Sequence, residues 1–169
     1  MKKPLFHILT LTLLGIMISA IPLVSGDKTT LQWKNFNDGF AEAKKSNKKI
    51  LVDVYTDWCG WCKKMDKDVY TNKEVASYLA DRYIVVKLNA ESESKLNYDD
   101  KAMSETQWAQ AFGVNGYPTT IFLKANGESI TLVPGYIPAE TFIDVIKYIG
   151  EDHYETVKWE DYMSKKKER

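Results

Sequence analysis

Cysteine and histidine are nearly absent from this chain, with two of each among 169 residues. A zinc site takes about four nitrogen or sulfur ligands, usually as two spaced pairs. His7 and His153 stand far from each other in sequence, so no metal is expected. Net charge is lacking as well, since 23 Lys+Arg balance 23 Asp+Glu. No basic excess marks a nucleic acid or an anionic membrane surface as partner. Internal repeats are missing, and nothing after the first residues suggests a second domain.

What is present begins with a leader-like stretch. Lys2 and Lys3 precede a largely apolar, uncharged run from Leu5 to Ala20, and small residues follow around Ser25-Gly26. This is the pattern of an export signal. Residues 1–26 are therefore expected to be removed after Gly26, with cleavage after Ala20 as the rival. An uncleaved leader acting as a membrane anchor is the alternative, because the run is close to the length that spans a bilayer. Without Lys2 and Lys3 the remainder is slightly acidic. It is long enough for one domain with a real core.

Along that domain, hydrophobic spacing and turn residues predict the elements. A short strand is expected at Thr30–Trp33, then a helix over Asn35–Ser46 capped by Asn37 or Asp38, with Phe36, Phe40 and Ala43 inward. Ile50–Tyr55 and Tyr83–Leu88 read as strands, the second apolar enough to be central. Thr71-Asn72-Lys73-Glu74 and Ser104-Glu105-Thr106-Gln107 have the capping-box pattern and open helices. Ala90–Lys101 is polar and reads as a loop. Thr119–Lys124 and Ser129–Val133 read as strands joined by a tight turn at Asn126-Gly127. Pro138 starts a helix whose Phe142, Val145, Ile146 and Ile149 share one face. The order of strands and helices fits an α/β fold, a central mixed sheet with helices on both sides. The domain is bounded at 27–150, with residues 151–169 as a short extra C-terminal element.

The chemistry concentrates where the first full strand ends. Cys59 and Cys62 stand three residues apart, just after Ile50–Tyr55. A bridge across two intervening residues restrains an unfolded chain little, which argues against a structural staple. A lone pair at this spacing after a strand reads as a redox-active dithiol. At a helix start, the unpaired backbone N–H groups favour the thiolate of Cys59, the form that attacks a disulfide. Cys62, one turn on, can reach back to close the ring.

Val52-Asp53-Val54-Tyr55 followed by Trp58-Cys59-Gly60-Trp61-Cys62-Lys63 resembles the active-site stretch of the thioredoxin superfamily. The resemblance continues through Val85–Asn89, Phe112–Thr119, Asn126-Gly127-Glu128 and Pro134-Gly135, covering about Trp33 to Ile149. Within the superfamily it is most similar to exported thioredoxin-like proteins that serve sulfur oxidation or cytochrome c maturation. The resemblance implies the thioredoxin fold and no cofactor.

Asp53 is a lone carboxylate in an apolar strand, where burial raises a carboxyl pKa. Which way it faces is open from spacing alone. The resemblance implies that it lies beneath the dithiol and acts as base toward Cys62, with Lys87 moderating its charge. It further implies a cis bond at Tyr117-Pro118, whose turn, with Thr119, offers backbone hydrogen bonds to a substrate strand. Trp58, Trp61 and Tyr117 would ring two exposed thiols, with Gly60 between the thiols and Gly135 allowing close approach at the rim. One departure stands out: the dipeptide between the cysteines is Gly-Trp, where thioredoxins carry Gly-Pro.

The expected function is that of an exported, periplasmic thiol–disulfide oxidoreductase. It would reduce disulfides in client proteins through Cys59 and Cys62 and be recharged by a membrane thiol-electron donor. A monomer is expected. The alternatives are a thiol oxidase or isomerase of the same fold, and a non-catalytic module that holds thiol clients.

Overall fold

The computed structural model describes residues 30–98 and 101–168, so the leader-like stretch at 1–26 lies outside the described residues. Its centre is β1 (Lys49–Tyr55), in which Ile50 to Val54 are all buried. Only a strand flanked on both edges and covered on both faces buries five consecutive side chains. On one edge β1 runs parallel to β2 (Tyr83–Asn89). On the other it runs antiparallel to β5 (Thr119–Leu123), which pairs in turn with β6 (Ser129–Pro134). The sheet order β2-β1-β5-β6 is mixed, as expected.

Side-chain alternation divides the core into two layers. Leu51, Val85 and Phe122 face α2 (Gly60–Asp68), α3 (Lys73–Arg82) and α5 (Ala139–Gly150), where Met65, Leu79, Phe142 and Ile146 meet them. Ile50, Val52, Val86 and Ile121 face the opposite way, onto Phe36 and Phe40 of α1 (Phe36–Ser46) and Trp108 of α4 (Glu105–Ala111). Asp53 is two residues beyond Leu51 and shares its face. The strand register therefore turns this carboxylate inward, toward the helices that follow the cysteines.

Several local expectations are corrected. Thr30–Trp33 forms no strand; the chain makes a single bridge at Lys34, whose N–H donates to the Val85 carbonyl at 3.0 Å. The cap of α1 is Asn35, which accepts the Asp38 N–H at 2.9 Å. Asn37 instead accepts the Asn97 N–H at 2.9 Å. That contact ties α1 to a hairpin of β3 (Lys95–Tyr98) and β4 (Lys101–Ser104), in the segment expected to be a loop. In β3 only Leu96 is buried, too short an apolar pattern to announce a strand. Asn72, not Thr71, caps α3. The Ser104–Gln107 capping box forms as expected, with reciprocal bonds of 3.2 and 2.9 Å.

After α5 come a 3₁₀ turn (His153–Glu155) and α6 (Trp159–Lys167). The ring of Tyr148 on α5 packs against Trp159 and Tyr162, with centroids 5.3 and 5.2 Å away. Its hydroxyl donates to the Val157 carbonyl at 2.6 Å, and Lys166 pairs with the buried Asp144.

Gly39 sets how closely α1 lies on the sheet. A Cβ there would overlap Cγ2 of Val86, which is fully buried and cannot yield. Gly39→Ala should destabilise the protein by about 1–3 kcal/mol, as overpacked cores do, despite the better helix propensity of alanine. A urea melt reads this as a lowered midpoint.

Candidate active site

The polypeptide leaves β1 at Tyr55, turns through Thr56-Asp57-Trp58 and enters α2 at Cys59. Cys59 is the N-cap: its backbone is extended, and its Sγ accepts the Cys62 N–H at 3.0 Å. The Cys59 carbonyl accepts the Lys63 N–H at 3.2 Å. A sulfur in that place lies against the positive end of the helix dipole, which favours its anionic form. Cys59 and Cys62 are joined in a disulfide, with Cα atoms 5.3 Å apart. Both are buried, at 4% and 3% exposure, so the expectation of exposed thiols is corrected. What is exposed is the aromatic surface beside them, Trp58 at 67% and Trp61 at 58%.

Those two indoles have partners on separate loops. Trp58 meets the ring of Tyr117 edge-on at 6.0 Å, and its Nε1 donates to Glu91 at 2.9 Å. Trp61 packs on Tyr136 at 5.4 Å, and Lys64 lies over that same ring at 5.5 Å. Gly60 opens α2 with free space beside its Cα. Tyr117-Pro118 is cis, and the Pro118 carbonyl accepts the Gly135 N–H at 2.8 Å. Gly135 has φ of 84°, in the left-handed region that disfavours other residues. Thr119 is buried, and its hydroxyl donates to the Gly116 carbonyl at 2.8 Å. Trp58 and Tyr117 are thus brought together, and the bond to Gly135 ties the two loops behind them.

A second group lies on the inner face of the sheet. Asp53 and Lys87 are register partners in β1 and β2, and Lys87 Nζ donates to Asp53 Oδ2 at 2.5 Å. Lys87 also pairs with Asp66 of α2. Its ammonium lies over Trp33, Tyr55 and Tyr70, at 4.7, 5.3 and 5.4 Å from the ring centres. Tyr70 donates its hydroxyl to Asp53 Oδ1 at 3.1 Å. Burial pushes the Asp53 carboxyl above the ordinary aspartate value, and the charge of Lys87 only partly offsets that. Burial alone would lower the Lys87 ammonium, but the charge of Asp53 and hydrogen bonds to both carboxylates hold it above the usual lysine value.

Sequence reasoning singled out Asp53 and Lys87 but missed Tyr70, Asp66, Trp33, Tyr136 and Glu91. A signal did exist for two of these, since Cys62, Asp66 and Tyr70 follow one another at four-residue spacing. No group of three or more His, Cys, Asp or Glu able to hold a metal comes together among the described residues.

Against known proteins, a family model described as a thioredoxin-like domain matches residues 36–150. The thiol:disulfide interchange protein DsbD of Photorhabdus laumondii is 25% identical over 108 residues, 63% of this chain. The chain spans 17% of that relative's length. The chloroplastic thioredoxin-like protein HCF164 of Oryza sativa is 32% identical over 108 residues, 62% of this chain and 35% of the relative. Among solved structures, a thioredoxin-fold protein from Helicobacter pylori superposes with a TM-score of 0.59 at 23% identity, covering 76% of this chain and 91% of that one.

Proposed function

The chain belongs to the thioredoxin-like family, and on that premise we propose that it is an exported thiol–disulfide oxidoreductase that reduces disulfides in client proteins. The observation that carries this reading is the pairing of Cys59 with Cys62 at the N-terminus of α2. In the reduced protein, the Cys59 thiolate attacks a client disulfide. A Cys59–client disulfide forms, and one client sulfur leaves with the electron pair. Asp53 then takes the proton of Cys62, whose thiolate attacks Sγ of Cys59. The Cys59–client bond breaks, the second client sulfur leaves and is protonated, and the Cys59–Cys62 disulfide remains. The client has gained two electrons from the two cysteines; the proton of Cys62, passed through Asp53, goes to one client sulfur, and the first client thiolate takes its proton from solvent.

Support for the reductive direction comes from the buried Asp53–Lys87 pair, which resembles that of thioredoxins. The exposed indoles of Trp58 and Trp61, with Tyr117, Pro118 and Thr119, would seat an extended client segment beside the dithiol. Residues 1–26 would direct export, residues 27–150 would make up the catalytic domain, and residues 151–169 would be a short extension, of which α6 packs on α5. Outside the cytoplasm a membrane thiol-electron donor would recharge the pair. The Gly60-Trp61 dipeptide is the observation that favours the second reading, a thiol oxidase or isomerase.

Equilibrating the Cys59–Cys62 pair with glutathione or dithiothreitol buffers decides between these. A potential of about −270 mV, the thioredoxin value, is expected. One near −120 mV reverses the direction. The absence of any reversible transition leaves the binding module.

A further inference from the structure

Tyr70 lies just past the C-terminal end of α2, its N–H donating to the Met65 carbonyl at 3.1 Å. Its ring is buried edge-on to Trp33 at 4.9 Å and to Phe142 at 5.7 Å. A phenylalanine would fill that space equally well. The hydroxyl therefore needs its own account, because a buried O–H is costly without a partner. Its partner is Asp53 Oδ1, at 3.1 Å, while Lys87 takes Oδ2. The carboxylate is held at both oxygens, from the end of α2 and from β2. It cannot rotate without losing one of the two bonds.

We propose that Tyr70 is a positioning residue for the resolving half-reaction: its hydroxyl holds Asp53 in the orientation and charge state in which the carboxylate takes the proton of Cys62. This rests on the reading of Asp53 as the base. The groups that face Asp53 are Lys87 from β2, Asp66 from α2, Tyr70 from the end of that helix and Tyr55 on β1 itself. Burial and the charge of Asp66 favour the protonated acid, whereas Lys87 and the Tyr70 hydroxyl favour the carboxylate. Tyr70 keeps its own proton throughout, since burial and the neighbouring Asp53 charge push its ionisation well above the ordinary tyrosine range. Toward Asp53 it acts as a donor only, and the Thr120 hydroxyl on β5 lies beside its oxygen. In the step itself the Cys62 proton passes to Asp53, the Cys62 thiolate displaces the client sulfur from Cys59, and that sulfur is reprotonated.

The test mixes the reduced full-length protein rapidly with one equivalent of dithiobis(nitrobenzoate). Attack by Cys59 releases the first thionitrobenzoate, and attack by Cys62 on the mixed disulfide releases the second. The rate of the second phase is followed against pH for wild type, Y70F, D53N and the double variant. For Y70F the acid limb of that profile should move up by about one pH unit, the scale of one hydrogen bond to a charged group. At pH values on that limb the second phase then slows by up to about tenfold, while the first phase and the alkaline plateau stay near wild type. In D53N the limb should disappear, and adding Y70F should change nothing further. A carboxyl NMR titration of Asp53 in oxidised Y70F should move upward in the same sense. An unmoved limb in Y70F, with the limb lost in D53N, overturns the role of Tyr70. A profile unaltered by D53N overturns the reading of Asp53 as base, and the inference falls with it.

Discussion

Cys62→Ser should turn the protein into a trap. Cys59 still attacks a client disulfide, but no second thiol is present to release the product. The mixed disulfide then accumulates as a slow band on a non-reducing gel that dithiothreitol dissolves. Steady-state reduction of a disulfide substrate should fall on the order of 10³-fold or more, as when one member of a covalent catalytic unit is lost. Cys59→Ser should lose the activity and the trapped band together. It removes the sulfur that lies at the start of α2, where the helix dipole favours a thiolate. A module that merely holds clients requires the opposite: capture unchanged in Cys59→Ser. That result would remove the catalytic reading.

The second large effect concerns Asp53→Asn, and it has two parts of opposite sign. Resolution by Cys62 should slow by roughly 10²–10³-fold at neutral pH, within the range for loss of a positioned base. Stability should rise. The carboxyl is 1% exposed, and its native pKa is raised, chiefly by burial. The folded protein thus binds that proton more tightly than the unfolded chain does. Wild-type stability therefore falls as pH climbs from the ordinary aspartate value, about 3.9, to the raised native one, and the loss is complete above it. Asparagine avoids this cost. Lys87 is not orphaned by the change, because it keeps Asp66 and remains partly exposed. A gain on the order of 1–3 kcal/mol in urea unfolding is expected at neutral pH, disappearing near pH 4. The raised pKa of Lys87 works in the other sense: its contribution is full below the unfolded lysine value and is lost as pH rises through the native one. A variant less stable than wild type at neutral pH would mean that the Asp53–Lys87 pair stabilises the fold, contrary to this account.

These two residues also mark the division between what is local and what is not. The strand Lys49–Tyr55, the dithiol at a helix start and the Ser104–Gln107 capping box were legible in the sequence, because each depends on contacts a few residues apart. The hairpin of β3 and β4 was not, since its register is held by Asn37, 60 residues from Asn97, and by one buried leucine. Nor was the cap of α1, where three neighbouring residues, Asn35, Asn37 and Asp38, could each have served. In the fold Asn37, inside the helix, bonds the hairpin, and Asn35, just before it, is the cap.

The sequence by itself determined which atoms can do chemistry here, for two cysteines at helical spacing after a strand leave few other uses. The tertiary structure alone decided the surroundings of those atoms. Burial of both sulfurs, the inward facing of Asp53 and its anchoring by Tyr70 and Lys87, 17 and 34 residues away, arise from strand register and helix docking. The physical reason is range. Backbone capping and side-chain periodicity act over one or two turns of chain. Desolvation and charge pairing depend on whatever the fold brings within a few ångströms, however far off it lies in sequence.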